Sequence, residues 1–468
     1  MQQTLHIVRK DIRYLSREIS LVLALAALFA WKDPWWVDIL LLVSAAYLIA
    51  RVIHAEAIPG DRQFWITRPY RWQSLAGAKL LFILVFVNLP ILAGQFLIVL
   101  RGGFPLASIW PGLLWSLVLM ILCFSLPIAA LAAVTSGIVP FIFATLTLLV
   151  IGLSITQMVL PQGRLLPVID RWPAMVEWVR NSGAVFALVL IALVALYSQY
   201  KNRRTVFSRA FALGAITLAA VAYLYLPRSL GFAVQMRFSQ PLAAISSLSA
   251  SIDPGSFQCV RLRWTDQIQV RVRAAVRGIP DGFDVRADAF SLAFERPDGA
   301  AWKSDLEGDM ASSTGAGVTT LDGMVMMPPS FFNAARRQPL TLQASLYLTL
   351  FETLPTRTLA LTDTPVNASE GLQCYQDAFN NLFCRSAFRW PARLVYARAF
   401  QTNLSLFYSL ISYSPFPAVL DLNPIESHWA SGGPSSSRDL TLLVKKPVAT
   451  SRRDIEVHGV RLSSTSWP

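Results

Sequence analysis

The distribution of apolar residues divides this chain into two unlike halves. Long apolar runs follow one another up to about residue 230, and no comparable run occurs after Val234. A helix needs about 20 apolar residues to cross ~30 Å of hydrocarbon. Hydrophobic residues make up 54% of the chain and charged residues only 15%, whereas roughly 25% of an average soluble domain is charged. We therefore predict that residues 1–230 form an α-helical, polytopic membrane domain.

Seven apolar runs are candidate membrane spans. The first is the shortest and carries Arg17 and Glu18 at its start. The fourth and fifth are separated only by a short turn at 136–140. The predicted spans are residues 16–31, 35–53, 75–100, 109–134, 139–160, 184–200 and 207–226.

The basic residues of this half lie in alternate loops, as the positive-inside rule requires of a chain whose N-terminus is cytoplasmic. An odd number of spans then places residues 235–468 outside the cytoplasm, and the expected location is the bacterial inner membrane. Topology and lipid headgroups account for the net charge of +13, so no nucleic-acid partner is predicted. The loop residues are Arg9, Lys10, Arg13 and Arg17, then Arg51, Arg62, Arg68, Arg71 and Lys79, then Lys201, Arg203, Arg204 and Arg209.

The first residues of the chain have helical periodicity. Apolar residues recur at three- and four-residue steps from Leu5 to Ile19, and the basic residues lie on other faces. This pattern predicts an amphipathic helix on the inner leaflet, with its apolar side in the bilayer. The alternative is a simple inward extension of the first span.

The second half has the period of β-strands. Residues 340–350 alternate apolar and polar side chains, and residues 268–273 do the same. Pro297-Asp-Gly299 predicts a turn. Residues 440–444 and 455–462 are predicted to be two strands joined through 445–453. Short strands with turn signals predict a mainly-β, sandwich-like extracytoplasmic domain over residues 235–468.

Three of the four cysteines lie in this second half. Cys123 lies inside a predicted span and is expected to be a packing residue. An oxidising compartment outside the cytoplasm favours a disulfide. We predict that Cys374 pairs with Cys384, and the pairing of Cys259 with Cys374 is the alternative.

The segment between the second and third spans combines turn, aromatic and basic residues. Gly60 permits a tight turn and Pro69 ends a helix, so a short helix can lie across the membrane surface between them. Phe64 and Trp65 are suited to a groove on a soluble partner. The alternative is an ordinary basic loop held at the lipid headgroups.

This segment resembles the cytoplasmic coupling element of the membrane (permease) subunits of type-2 ABC transporters. The N-terminal amphipathic helix is similar to the interfacial elbow helix of that family, and the resemblance covers about residues 1–200. A seventh span and a large outer domain depart from the family pattern. The residues that match, in order, are Glu56, Gly60, Arg68-Pro69, Arg71 and Lys79.

The resemblance implies an ABC ATPase subunit as partner, docked on a coupling loop at residues 54–74. The binding residues would be the matching ones together with Phe64 and Trp65. It also implies a homo- or heterodimer of membrane subunits in the lipid bilayer, and transport with export as the favoured direction. The alternative function is a membrane-anchored extracytoplasmic binding or assembly module without transport activity.

Sites for chemistry are not evident in the sequence. No phosphate-binding Gly-rich loop of the P-loop type occurs, so ATP would be bound by the separate subunit, and we expect neither a cofactor nor an enzyme. Glu426-Ser-His428 and Glu456-Val-His458 are interpreted as chance pairs on exposed strands. Three polar residues inside the spans are expected to hydrogen-bond between helices; they are Asn88, Gln95 and Gln157.

Overall fold

The fold is known from a computed structural model. It describes residues 2–32, 35–55, 71–159, 174–202, 205–239, 243–261, 267–308, 310–315, 318–353, 357–360, 364–369, 372–376, 382–388, 394–399, 405–409, 422–429 and 439–464.

The first half is helical. Among the described residues, three π-helical segments lie within or at the end of the longer helices; they are Leu84–Asn88, Met120–Ser125 and Ser198–Asn202. The α-helices are α1 (Gln2–Tyr14), α2 (Ser16–Lys32), α3 (Trp35–His54), α4 (Trp72–Ile83), α5 (Leu89–Arg101), α6 (Leu106–Leu119), α7 (Leu126–Val134), α8 (Ile138–Val159), α9 (Ala174–Tyr197), α10 (Thr205–Tyr225), α11 (Arg228–Phe238), α12 (Ala243–Ser246) and, within the second half, α13 (Pro329–Ala335).

Within the described residues, five helical stretches are long and apolar enough to cross a membrane. The pair α1–α2, bent by 80° around Leu15, gives a sixth at most. The described apolar part of α8 ends at Val150 and is shorter than a span. The chain is therefore a multi-pass membrane protein, and the predicted count of seven is not confirmed. The five stretches are Trp36–His54, Trp72–Arg101, Ile109–Val134, Trp178–Lys201 and Val206–Tyr223.

The helices pack tightly around a shared apolar core. Phe29 of α2 and Phe82 of α4 are fully buried in it. Gly94 of α5 lies against Phe29, so close that a Cβ on Gly94 would come within 2.7 Å of that ring. Small residues allow membrane helices to approach in this way, and α2 and α5 consequently form one packed unit.

Two polar pairs join the α4–α5 stretch to the α6–α7 stretch. Ser125 Oγ donates to Asn88 Oδ1 at 2.9 Å, and Ser116 Oγ donates to Gln95 Oε1 at 2.8 Å. Asn88 and Ser125 each end a π-helical segment, an irregularity found often at functional sites. The expected hydrogen bonds between helices are confirmed for Asn88 and Gln95, whereas the side chain of Gln157 lies outside the described residues.

The second half is built from β-strands. The turn predicted at Pro297–Gly299 joins β4 to β5, and Gly299 has a positive φ of 82° there. The strands are β1 (Ser249–Ile252), β2 (Gln258–Arg261), β3 (Ile268–Arg277), β4 (Phe283–Glu295), β5 (Ala301–Lys303), β6 (Ala311–Gly315), β7 (Val318–Met327), β8 (Leu340–Thr353), β9 (Arg357–Ala360), β10 (Val366–Ser369), β11 (Leu372–Gln376), β12 (Leu382–Ala387), β13 (Leu394–Ala399), β14 (Ser405–Ser409), β15 (Ile425–Trp429), β16 (Asp439–Val460) and β17 (Ser463–Ser464).

The described strands form three sheets. The first has the order β17-β2-β3-β7-β6, with β1 also paired to β3. The second has the order β14-β13-β16-β8-β4-β5, with β9 paired to β16, and the third has the order β10-β11-β12-β15. Inward residues of β3 and β7 share one hydrophobic cluster with those of β4 and β8. The first two sheets therefore face each other, as a sandwich requires.

The prediction of two strands at 440–444 and 455–462 was wrong, because β16 is one strand of 22 residues. Its first part pairs with β13 and its second part with β8. The register shifts between Pro447 and Ala449. A bulge of this kind accommodates a proline, which has no N–H to give to the ladder, so the strand continues through the segment that the sequence had marked as a connection.

The sandwich rests on the helical half through α11. The ring of Phe232 in α11 stacks on Tyr347 of β8, with centroids 4.2 Å apart. Trp178 Nε1 of α9 donates to Gln235 Oε1 of α11 at 2.6 Å. The helix α11 is thus the contact between a long apolar helix and the second sheet.

Candidate partner-docking site

The predicted partner-binding residues belong to α4 and to the part of the chain that precedes it. Of these, the structure describes Arg71 and Lys79, which are placed differently. Arg71 is exposed and has an extended backbone immediately before α4. Lys79 lies further along, within α4, and is buried. The remaining members lie outside the described residues; they are Glu56, Gly60, Phe64, Trp65, Arg68 and Pro69.

Lys79 forms a buried ion pair with the N-terminal helix. Its Nζ donates to Asp11 Oδ2 at 2.8 Å, and the two side chains are only 3% and 0% exposed. Removing charges from water is costly unless they are paired with good geometry. The pair therefore fixes α1 against α4, and the Lys79 ammonium faces α1 in this arrangement.

The residue that sequence reasoning missed is Asp11. It lies between Ile7 and Leu15 at four-residue spacing, on the stripe that is buried in the structure. The available signal was an acidic residue four positions from each of two apolar residues, Ile7 and Leu15, in an otherwise basic helix, since a buried carboxylate needs a cationic partner. Its partner is 68 positions away in the chain, beyond the reach of local pattern.

A second, more exposed ion pair joins α2 to α3 near the same end of the bundle. Arg51 lies 3.4 Å from Glu18, with side chains 33% and 21% exposed. The Arg51 guanidinium also lies 5.9 Å from the centroid of the Tyr14 ring in α1. Partly exposed pairs add little stability, so the role of these contacts is to orient the corner between α1 and α2.

Further contacts bring the ends of α7, α9 and α10 close to the start of α4. Arg209 Nε of α10 donates to the Val134 carbonyl at the end of α7, at 2.8 Å. Trp72 of α4 meets Tyr197 of α9 edge-to-face, with centroids 6.0 Å apart. The ends of α3, α4, α7, α9 and α10 consequently share one end of the bundle, and the basic residues Arg51, Arg71, Lys201 and Arg209 lie there. This end presents positive charge to any acidic partner.

The cysteines of the β-rich half fall into two classes. Cys259 in β2 is a buried thiol, and burial raises its pKa to about 12. Cys374 in β11 is part of a disulfide bond, and the backbone register of β11 and β12 places it opposite Cys384. This register favours the predicted pairing of Cys374 with Cys384, which remains a prediction.

The second sheet contains a buried carboxyl group. Asp288 lies at a bulge in β4 and is 1% exposed. The Thr349 hydroxyl donates to it, and Thr349 is 3.2 Å from the Thr450 hydroxyl. Burial raises the pKa of Asp288 to about 6, against the opposing effects of the Thr349 hydrogen bond and the charge of Arg286. This carboxyl therefore makes the stability of the sandwich depend on pH.

Metal ligands do not converge in the part of the chain that the structure describes. His458 Nε2 is 3.7 Å from Glu456 Oε1, but both side chains are largely exposed. This is the arrangement expected of a surface pair.

Neither a protein-family model nor a curated protein sequence matches this chain. Its geometry is therefore the basis on which a function can be proposed.

Proposed function

We propose that this chain is the membrane permease subunit of an ABC transporter, with export as the favoured direction, and that a separate ATPase subunit drives it. The observation that carries the proposal is the buried pair of Asp11 and Lys79. It joins the bent N-terminal helix to the α4 stretch that directly follows the predicted coupling loop. A load applied to that loop would therefore reach two helices at once.

The packing supplies a path for such a load. Pushing at residues 54–74 would displace the start of α4, and α1 would follow because Asp11 holds Lys79. Because α1 and α2 meet at an 80° bend, a displacement of α1 would tilt α2. Gly94 of α5 lies directly against Phe29 of α2, so α2 and α5 would tilt together.

The assembly proposed is a dimer of membrane subunits in the lipid bilayer. Apolar side chains cover the described surfaces of α8 and α10, and only 6% of the apolar stretch Val206–Tyr223 is buried within the chain. Lipid and a second membrane subunit both suit such faces. ATP would be bound by the ATPase partner.

A second candidate function is a membrane-anchored outer module without transport. It is favoured by the contacts that the β-rich half makes with the helices, at α11 and at the turn after α5. Helices that serve only as an anchor need no motor at their other end.

Purification of the tagged chain from native membranes in mild detergent separates these candidates. The permease proposal predicts that a protein with a P-loop ATPase motif co-purifies, and that Arg68→Glu combined with Arg71→Glu reduces its yield sharply, because like charges at an interface cost several kcal/mol. A matched control is Arg271→Glu combined with Arg277→Glu on exposed positions of β3. Wild-type protein without an ATPase would favour the anchored module.

A further inference from the structure

The third sheet is hydrogen-bonded to the turn between α5 and α6. Gln373 Nε2 of β11 donates to the Gly103 carbonyl at 3.0 Å, and an Arg385 terminal nitrogen of β12 donates to the Gly102 carbonyl at 2.9 Å. Arg385 Nε also donates to Gln373 Oε1 at 2.9 Å, since the two residues are directly opposite in the strand register. The two strands therefore cap carbonyls at the end of α5, which have no partner within the helix.

A strained aromatic residue lies beside these hydrogen bonds. Phe388, directly after β12, has a φ of 49°, a left-handed conformation that L-residues other than glycine adopt rarely. Its N–H donates to the Pro424 carbonyl at 2.8 Å. Gly112 of α6 makes room for it, because a Cβ on Gly112 would lie 2.5 Å from the Phe388 Cβ. Phe388 thus packs against α6, and its backbone is strained.

The same region of the β-rich half also enters the helical bundle. Leu422 is 1% exposed and belongs to the apolar core of the bundle. Its carbonyl accepts a hydrogen bond from Gln95 Nε2 at 3.0 Å, and Gln95 in turn holds Ser116 of α6. Leu422 therefore covers the polar pair that joins α5 to α6.

We propose that Gln373, Arg385, Phe388 and Leu422 form a releasable clamp on the ends of α5 and α6. Closed, the clamp holds the two helices together and covers Gln95 and Ser116. Released, it exposes that polar pair and lets the helix ends separate. The proposal does not depend on transport activity, because it concerns only how the β-rich half contacts α5 and α6.

Three properties favour release over a permanent joint. The third sheet shares no ladder with the other two among the described strands, so it can shift without breaking the sandwich. Water can take over the hydrogen bonds to the Gly102 and Gly103 carbonyls. Release also frees Phe388 from its left-handed conformation, and residues held in such conformations are found at switch regions.

Hydrogen–deuterium exchange of the full chain in lipid nanodiscs tests the clamp. The reporters are the amides of Gly102, Gly103 and Phe104, which donate within the turn. In Gly112→Ala the added Cβ collides with Phe388, so these amides should exchange at least about tenfold faster, as expected for an overpacked contact. The control Gly214→Ala has open space around its Cβ and should leave them unchanged.

Compensation distinguishes a steric clamp from general damage. Gly112→Ala combined with Phe388→Gly keeps the added Cβ but removes the Phe388 side chain that it would meet, and should bring exchange back toward the wild-type rate. Gln373→Ala combined with Arg385→Ala should accelerate the same amides by a second route. Unchanged exchange in both single-route variants would overturn the proposal. Acceleration that spreads equally to β3 and β8 would also overturn it, because the joint would then be part of the sandwich fold.

Discussion

The ion pair between Asp11 and Lys79 makes the sharpest energetic prediction. Lys79→Met removes the ammonium group that lies 2.8 Å from the Asp11 carboxylate, a group that is 0% exposed. Removing one member of a buried ion pair destabilises by about 3–5 kcal/mol. The local consequence is detachment of α1 from α4, which brings the Asp11 carboxylate into water.

The magnitude sets what should be measured. Every 1.4 kcal/mol is a factor of about ten in an equilibrium constant, so the population with α1 detached should rise by about a hundredfold or more. Hydrogen–deuterium exchange of the α1 amides in nanodiscs measures this population, while exchange within β8 serves as an internal standard.

The double variant decides whether the pair is responsible. Asp11→Leu combined with Lys79→Met replaces both charges by apolar side chains, a change that is often neutral or stabilising for a buried pair. Its α1 exchange should return close to the wild-type rate. The exposed pair Arg273–Asp322, with side chains 64% and 45% exposed, is the matched control, and Arg273→Met should leave exchange within β3 close to the wild-type rate, because exposed pairs add little stability. Equal exchange in Lys79→Met and wild type would refute the reasoning.

Three further predictions concern the β-rich half. Mass mapping of non-reduced protein should recover a peptide pair linking Cys374 to Cys384; a link between Cys259 and Cys374 would contradict it. Because the pKa of Asp288 is raised from 3.8 to about 6, its contribution to stability is complete below pH 4 and is lost as pH rises through 6. Asp288→Asn should therefore stabilise the sandwich by up to about 3 kcal/mol at pH 8 and leave it unchanged at pH 4 in denaturant titrations. A reporter active only in the cytoplasm, fused after Pro468, should give no signal, and a strong signal would mean an even number of spans.

The spacing of apolar residues predicted the elements that bury one face and leave the other exposed. The amphipathic residues from Leu5 to Ile19 indicated a helix distinct from the first span, and the structure bends the chain by 80° there. The alternation at 340–350 predicted β8, because one side of that strand faces the sandwich core. In both cases the hydrophobic stripe alone carries the information.

Long-range pairing was beyond the sequence. The sequence pattern predicts two strands at 440–444 and 455–462, yet two different partner strands, β13 and β8, keep β16 continuous. Gln95 is predicted to form a hydrogen bond between helices, and it does so with Ser116. The second partner of Gln95 is the carbonyl of Leu422, 327 positions away. Nothing in the residues around Leu422 distinguishes a segment that enters the bundle from an ordinary loop.

The central claim is that an ATPase docks at the end of the bundle where α4 begins. A photo-crosslinking phenylalanine analogue in place of Trp72, which is 37% exposed, places the probe beside Arg71. The same analogue in place of Trp110, which is 59% exposed on α6 at the opposite end of the bundle, is the control. Irradiation of native membranes followed by mass spectrometry should give a crosslink from position 72 to a protein with a P-loop motif, and none from position 110. A P-loop protein crosslinked only from position 110, or from neither position, would contradict the claim.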